Sequence, residues 1–563
     1  VSSVPGVLAC RGRAFEPARG MPYQAVGDAL AGSFEQIPDE RLAKVVGSAG
    51  YDLSLFVPGL PERLDLVGID RSPPALVAPD QVGRRVLESI LGGLERLADR
   101  GVLLLVLEDI HHADPATRGL IDALQGIGRA LPVCLVITYQ PDLVHRRHPL
   151  RELADRCERD PEVVRIELGP LDAREVESLV TEAQGKRPPA SVLTAVGEGA
   201  RGNPLVALRL AESAGALEGV RLSDSFDQLC GASLEAMPRD ASLVVRVMAL
   251  ARIPLRRSTL LSLRSPIGRL THQGIESAFK SGFVVEYGER ISVSHELCAE
   301  AIEALELTPE RQAIHAALAE RLHSAPPLAA WYWDKAARPA EEREARIRAA
   351  TSALQLDPAE TVLLHVEAAL ALPADASVTP EERAAVLASA AAASAAAGHF
   401  RRATALQRQA IESRATRQAS SGRGSRDDAT RLSLGEMNAE LGRYQWAGGE
   451  LDGAIDSMER ALGIMPGTPT RIRARALALL AQHLMLAGRF EESGTYAVEA
   501  QQIAKAADEE CLAERSHATC TLGMDVAYLG EFERGQDLLK VAADLAREAG
   551  RLDDLMRAAA NLT

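Results

Sequence analysis

The sequence predicts a multidomain protein of the α/β-plus-α class. Three observations predict it. Apolar runs of strand length alternate with amphipathic helices over the first third; helices surround one hairpin in the next stretch; and the remainder is helical with an internal repeat. At 563 residues the chain has room for about three to four domains. Its apolar content of 47% supplies buried cores, and an aromatic content of only 4% among many Ala, Leu, Arg and Glu favours helices, which cost those side chains little entropy.

In chain order, Val4–Arg11 reads as a strand, and Gly20-Met21-Pro22-Tyr23 as a turn into a helix through Leu30. Residues 31 to 80 carry no clear period. The stretch Asp80–Arg100 is a helix with Val82, Val86, Ile90, Leu91, Leu94 and Leu97 on one face. Val102–Leu107 then forms a branched apolar run that ends in Glu108 and Asp109, as a buried parallel strand would. A helix over Ala116–Leu131 leads to a second buried strand, Val133–Thr138. Val163–Leu168 alternates apolar and charged residues from Val164 on, in the manner of a half-exposed edge strand. Asp172 to Ala216 is helical, interrupted at Gly202-Asn203-Pro204. Residues 226–305 are helices around a hairpin at Phe283–Val293, a winged-helix-like combination. Beyond Thr308 the pattern is helical apart from a polar linker near Ser420–Ser425.

The helical region carries a repeat. Gly398, Gly449, Gly488 and Gly530 each open the same frame. Two residues on stand Phe400, Leu451, Phe490 and Phe532. Five on stand the small residues Ala403, Ala454, Ser493 and Gly535, and twelve on stand Ala410, Ala461, Ala500 and Ala542. Glycine permits a tight turn and small residues permit close helix approach, which is the logic of a tetratricopeptide-like helical solenoid. Such a scaffold presents a concave surface to a partner or effector.

Glu108 and Asp109 carry the chemistry. Open α/β sheets bind ligands at the C-terminal ends of their strands, and one carboxylate there can hold Mg²⁺ on nucleotide phosphates while another acts on the attacking water. The first half of such a site is absent: no G-x-x-x-x-G-K-[ST] occurs in the chain. The expectation is therefore a partial P-loop NTPase sheet without its Walker A segment. Asp114 before Pro115 reads as a helix cap, and His111 and His112 as packing at the helix start rather than as metal ligands.

Glu108-Asp109-Ile110-His111-His112-Ala113-Asp114 resembles the Walker B region of STAND-type signalling ATPases, AAA-like proteins, and within them the large ATP-binding LuxR-type transcriptional regulators. In that family Trp usually stands where His112 does. Thr138-Tyr139-Gln140 through Leu150 resembles its sensor strand and loop, with Gln140 in place of the usual Arg; Arg146 or Arg147 could substitute, or be solvated loop charges. Gly202-Asn203-Pro204 resembles the helix start after the ATPase core, and His295 the histidine that senses phosphates in related ATPases. The resemblance implies ATP or ADP with Mg²⁺ as cofactors, Glu108 and Asp109 as metal-binding and catalytic residues, and Thr138, Gly202, Asn203, Pro204 and His295 at the nucleotide. It implies slow regulatory turnover, if any, and nucleotide-dependent self-assembly. The Walker A segment is expected before Val1 and a DNA-binding helix-turn-helix after Thr563, so the chain reads as a fragment. A kinase or cyclase output, or a decayed nucleotide-free scaffold, fits the same residues.

The expected domains are a P-loop NTPase core over 1–170, a helical lid over 171–225, a winged-helix-like domain over 226–305 and tetratricopeptide-like repeats over 306–563. A net charge of −15 opposes a large nucleic-acid surface within these residues. Seven scattered cysteines without a C-x-x-C pair argue against a zinc site or disulfide framework and for a reducing, cytoplasmic setting. No apolar run approaches the roughly 20 residues that span a bilayer. The implied partner is an inducer or a protein at the helical repeats.

Overall fold

The computed structural model describes residues 6–69, 82–127, 131–216, 226–264, 268–353, 356, 360–372, 379–396, 398–420, 428–507 and 510–562. Residues 4–5, 80–81 and 128–130 of the expected elements, and residues 421–425 of the expected linker, lie outside the described residues. The chain divides into two compact units, residues 1–71 with 86–349 and residues 72–85 with 350–563.

In the first unit, β1 (Val7–Arg13), β2 (Val102–Glu108) and β3 (Val133–Ile137) form a parallel sheet in the order β1-β2-β3. Leu103, Leu105 and Leu107 of the central strand are fully buried, whereas Val102 is 46% exposed. Helix Gln24–Glu35 lies directly on β1, because Gly12 has no side chain: a Cβ there would stand 1.9 Å from the Ala25 carbonyl oxygen. Two expectations are corrected. β3 is a half-exposed strand rather than a buried one, with Val136 40% exposed, since no described strand pairs with its outer edge. Val163–Leu168 forms no strand, and Val164, Ile166 and Leu168 are exposed. Alternation suits a strand only where a neighbour completes the ladder.

The expected hairpin forms as β5 (Val284–Tyr287) and β6 (Arg290–Val293), turned at Gly288 with φ +56°. With β4 (Leu255–Arg256) it makes an antiparallel sheet in the order β4-β6-β5. Helix Arg239–Ala251 packs behind it through Val244 and Met248, in a core shared with Ile302, Ile314, Leu318 and Tyr332. Helices Thr308–Arg321 and Pro326–Lys335 thus join this core, and Tyr332 Oη donates to the Ala251 carbonyl at 2.6 Å.

The second unit is a helical-repeat solenoid, and its repeat frame has a structural cause. Gly398, Gly449, Gly488 and Gly530 all have φ between +76° and +103°. At each, the glycine amide donates three residues back and the next amide five residues back, as in Gly488 to Met485 and Arg489 to Leu484, both 2.9 Å. This is the Schellman end of a helix, and it requires the left-handed residue that glycine supplies without strain. The next helix starts two residues later, at Phe400, Leu451, Phe490 or Phe532. Ala403, Ala454 and Ser493, and all four alanines twelve on, are fully buried. A fifth turn of the same kind occurs at Gly550 (φ +65°), before helix Leu552–Leu562. Among the described residues no helix is long and apolar enough to cross a membrane.

Candidate functional site

The two carboxylates stand at the C-terminal end of the central strand. Strand register sets Arg13 opposite Glu108 and Arg11 opposite Val106, so both arginines of β1 face the acidic end. Arg13 Nε pairs with Asp109 Oδ2 at 2.7 Å, and Arg11 Nη2 with Glu108 Oε1 at 2.9 Å. Asp109 adopts a left-handed backbone, φ +53° and ψ +40°, which Asp tolerates better than most residues. Its amide donates to Thr138 Oγ1 at 3.1 Å, and the Ile110 amide to the Thr138 carbonyl at 2.9 Å, so β3 buttresses the turn.

His295 feels the charges of this group. Burial, with Arg13 close by, pushes its pKa below the usual histidine value, while Glu296 and Asp109 oppose that shift. His295 also caps helix Glu296–Leu305, with Nδ1 accepting from the Leu297 amide at 3.1 Å. The structure therefore gathers Glu108, Asp109 and Thr138, with His295 in electrostatic reach of Asp109. Gly202, Asn203 and Pro204 sit at the start of helix Pro204–Ala216. The Gly202 carbonyl accepts from Leu171, and a Cβ on Gly202 would stand 2.6 Å from the Leu171 oxygen. Asn203 Oδ1 caps the helix by accepting from Leu205 and Val206, and Pro204 opens it. Gln140, Arg146 and Arg147 are exposed.

Asp114 caps its helix as expected and also does more. It is 2% exposed and accepts from the Thr117 amide at 2.9 Å and, across 91 residues, from the Tyr23 amide at 2.9 Å. It joins the starts of two helices, and burial pushes its pKa up. His111 is 2% exposed, and burial, aided by His112, pushes its pKa down to about 4. Glu296 is held at about 2 by its contact with His112, against the effect of burial.

Sequence reasoning missed Arg11, Arg13 and Glu296. The arginines alternate on one face of β1, and that period was the available signal. Glu108 and Asp109 supply hard oxygen donors of the kind that could hold Mg²⁺, each here paired with a guanidinium.

The chain matches no family model and no curated protein. Among solved structures it is similar to a Signal Transduction ATPase with Numerous Domains (STAND) protein with a tetratricopeptide repeat sensor from Pyrococcus horikoshii. That match has 15% identity and a TM-score of 0.38, and covers 99% of this chain and 83% of that one. It is also similar to YrrB, a tetratricopeptide repeat protein with an unusual peptide-binding site, at 16% identity and a TM-score of 0.26, covering 38% and 88%. A third is a Rap protein complexed with competence and sporulation factor, at 11% identity and a TM-score of 0.28, covering 69% and 97%.

Proposed function

We propose that this chain is the nucleotide-dependent switch and partner-binding region of a signalling regulator of transcription. The observation that carries the reading is the grouping of Glu108, Asp109 and Thr138 at the C-terminal end of a central parallel strand, with His295 in electrostatic reach of Asp109. In this reading Glu108 and Asp109 hold Mg²⁺ on ATP, and Thr138, Gly202, Asn203, Pro204 and His295 face the nucleotide. Bound Mg²⁺ would neutralise phosphate charge; hydrolysis, where it occurs, is slow. His295 lies on the helix after the hairpin, so a change at the phosphates reaches the 226–305 region, read as winged-helix-like, through that side chain. The helical repeats receive an inducer or protein partner in the cytoplasm. DNA is reached through a domain outside these residues, and nucleotide exchange drives self-assembly.

The test is light scattering of the full gene product with ATP and Mg²⁺ against ADP. ATP-dependent assembly that Glu108→Gln alters supports the reading, and assembly indifferent to nucleotide contradicts it. A second reading, a nucleotide-free scaffold, is favoured by one specific observation: both carboxylates already have guanidinium partners.

A further inference from the structure

We propose that His111, His112 and Glu296 form a transition-metal site, suited to Zn²⁺, that fastens the turn after β2 to helix Glu296–Leu305. One ligand atom from each side chain can be chosen so that all three lie within 4.8 Å of one another. Each side chain also holds a buried polar atom without a hydrogen-bond partner: His111 Nε2, His112 Nδ1 and Glu296 Oε2. A buried polar atom left unsatisfied costs about 1–3 kcal/mol. Each of the three side chains therefore has bonding capacity left over, and two imidazoles with a carboxylate are the donors that suit Zn²⁺.

The geometry needs only a small closure. Metal–nitrogen bonds of about 2.0–2.1 Å set tetrahedral ligand atoms about 3.4 Å apart. His112 Nε2 and Glu296 Oε1 stand 3.3 Å apart, although 184 residues separate them, and a metal bound through these two atoms would replace their direct contact at almost the same spacing. The Gln140 amide lies 3.5 Å from His111 Nδ1, too long to hold that ring in one tautomer. Arg252 Nη1 is 3.8 Å from Glu296, but it is closer to Glu16, at 3.0 Å, and its Nη2 pairs with Glu303 at 2.7 Å. Three protein ligands leave a fourth position for water. The site depends on His112, where the resembling regulators carry Trp, and it is separate from the proposed Mg²⁺ ligands.

The experiment uses the whole chain, stripped of metal with a chelator and titrated with Co²⁺ as a coloured stand-in for Zn²⁺. The expected result is one equivalent of Co²⁺ with the intense visible band of a tetrahedral site, displaced by Zn²⁺. Twelve histidines offer other attachment points, so variants assign the site. His112→Gln and Glu296→Gln should each weaken binding at least tenfold with unchanged circular dichroism, and Asp109→Asn should leave it intact. No saturable one-equivalent band in the parent chain overturns the proposal, as does a band that survives both ligand substitutions.

Discussion

Arg13 on β1 reaches across to Asp109, 96 residues later, and pairs Nε to Oδ2 at 2.7 Å. The carboxylate proposed to hold Mg²⁺ is therefore already held by a cation, and a metal must displace or share it. Arg13→Gln is expected to tighten Mg²⁺ binding several-fold. Asp109→Asn should abolish it while changing stability by about 1 kcal/mol or less, because Asn accepts the left-handed turn and the pair is part-exposed. Calorimetric titration with Mg²⁺ checks both. Equal affinity in all three proteins would remove Asp109 from the site.

Gly523 and Gly535 set how closely helices Leu512–Tyr528 and Phe532–Glu548 cross. A Cβ on Gly535 would stand 2.7 Å from the Gly523 carbonyl oxygen and 2.8 Å from Ala527 Cβ. Gly535→Ala should destabilise the second unit by about 1–3 kcal/mol through overpacking. Gly463→Ala, in open space within a helix, should stabilise it by up to about 1 kcal/mol. Urea unfolding of the two variants would show opposite shifts in midpoint.

Asp525 is a buried carboxyl of the solenoid whose burial favours its protonated form. Ser493 Oγ lies 2.7 Å from both the Ala481 carbonyl and Asp525 Oδ2. Burial pushes the Asp525 pKa up to about 6, against the hydroxyl that Ser493 donates to it. A raised carboxyl pKa gives stability that is complete below about pH 4 and is lost as pH rises through 6. Thermal unfolding of Asp525→Asn should therefore gain about 1–3 kcal/mol over the parent at pH 8 and little at pH 4. A gain independent of pH would refute the assignment.

His315 acts in the opposite sense. It is buried between Trp331 and Tyr332, both ring nitrogens lack partners, and burial pushes its pKa down to about 4. Glu303 opposes that shift and Lys335, Arg311 and Arg252 add to it. A depressed histidine pKa gives stability that is present above about 6.5 and is lost as pH falls toward 4. His315→Phe should flatten that acid limb in melting curves; an unchanged slope between pH 6.5 and 4 would contradict the prediction.

The repeat frame was legible because backbone geometry demanded it: glycine at a left-handed turn and small residues at a helix crossing leave a mark in any sequence. The fifth turn, at Gly550, lacks that mark in the sequence, because Leu555 and Leu562 stand where the other frames carry small residues. β2 was legible from its apolar run and carboxylate end. The exposure of β3 and the lack of a ladder at Val163–Leu168 were not, since both depend on whether a neighbouring strand exists. The partners of the acidic pair were hidden for the same reason. Arg13 and Glu296 meet the turn after β2 only through contacts between residues 96 and 184 apart.

The most direct measurement is equilibrium binding of a fluorescent ATP analogue to the full gene product, with and without Mg²⁺, alongside its Asp109→Asn variant. The nucleotide-switch account predicts saturable, Mg²⁺-dependent binding that the substitution weakens at least tenfold. Absence of binding, or binding indifferent to both Mg²⁺ and Asp109, would contradict it and leave the scaffold reading in its place.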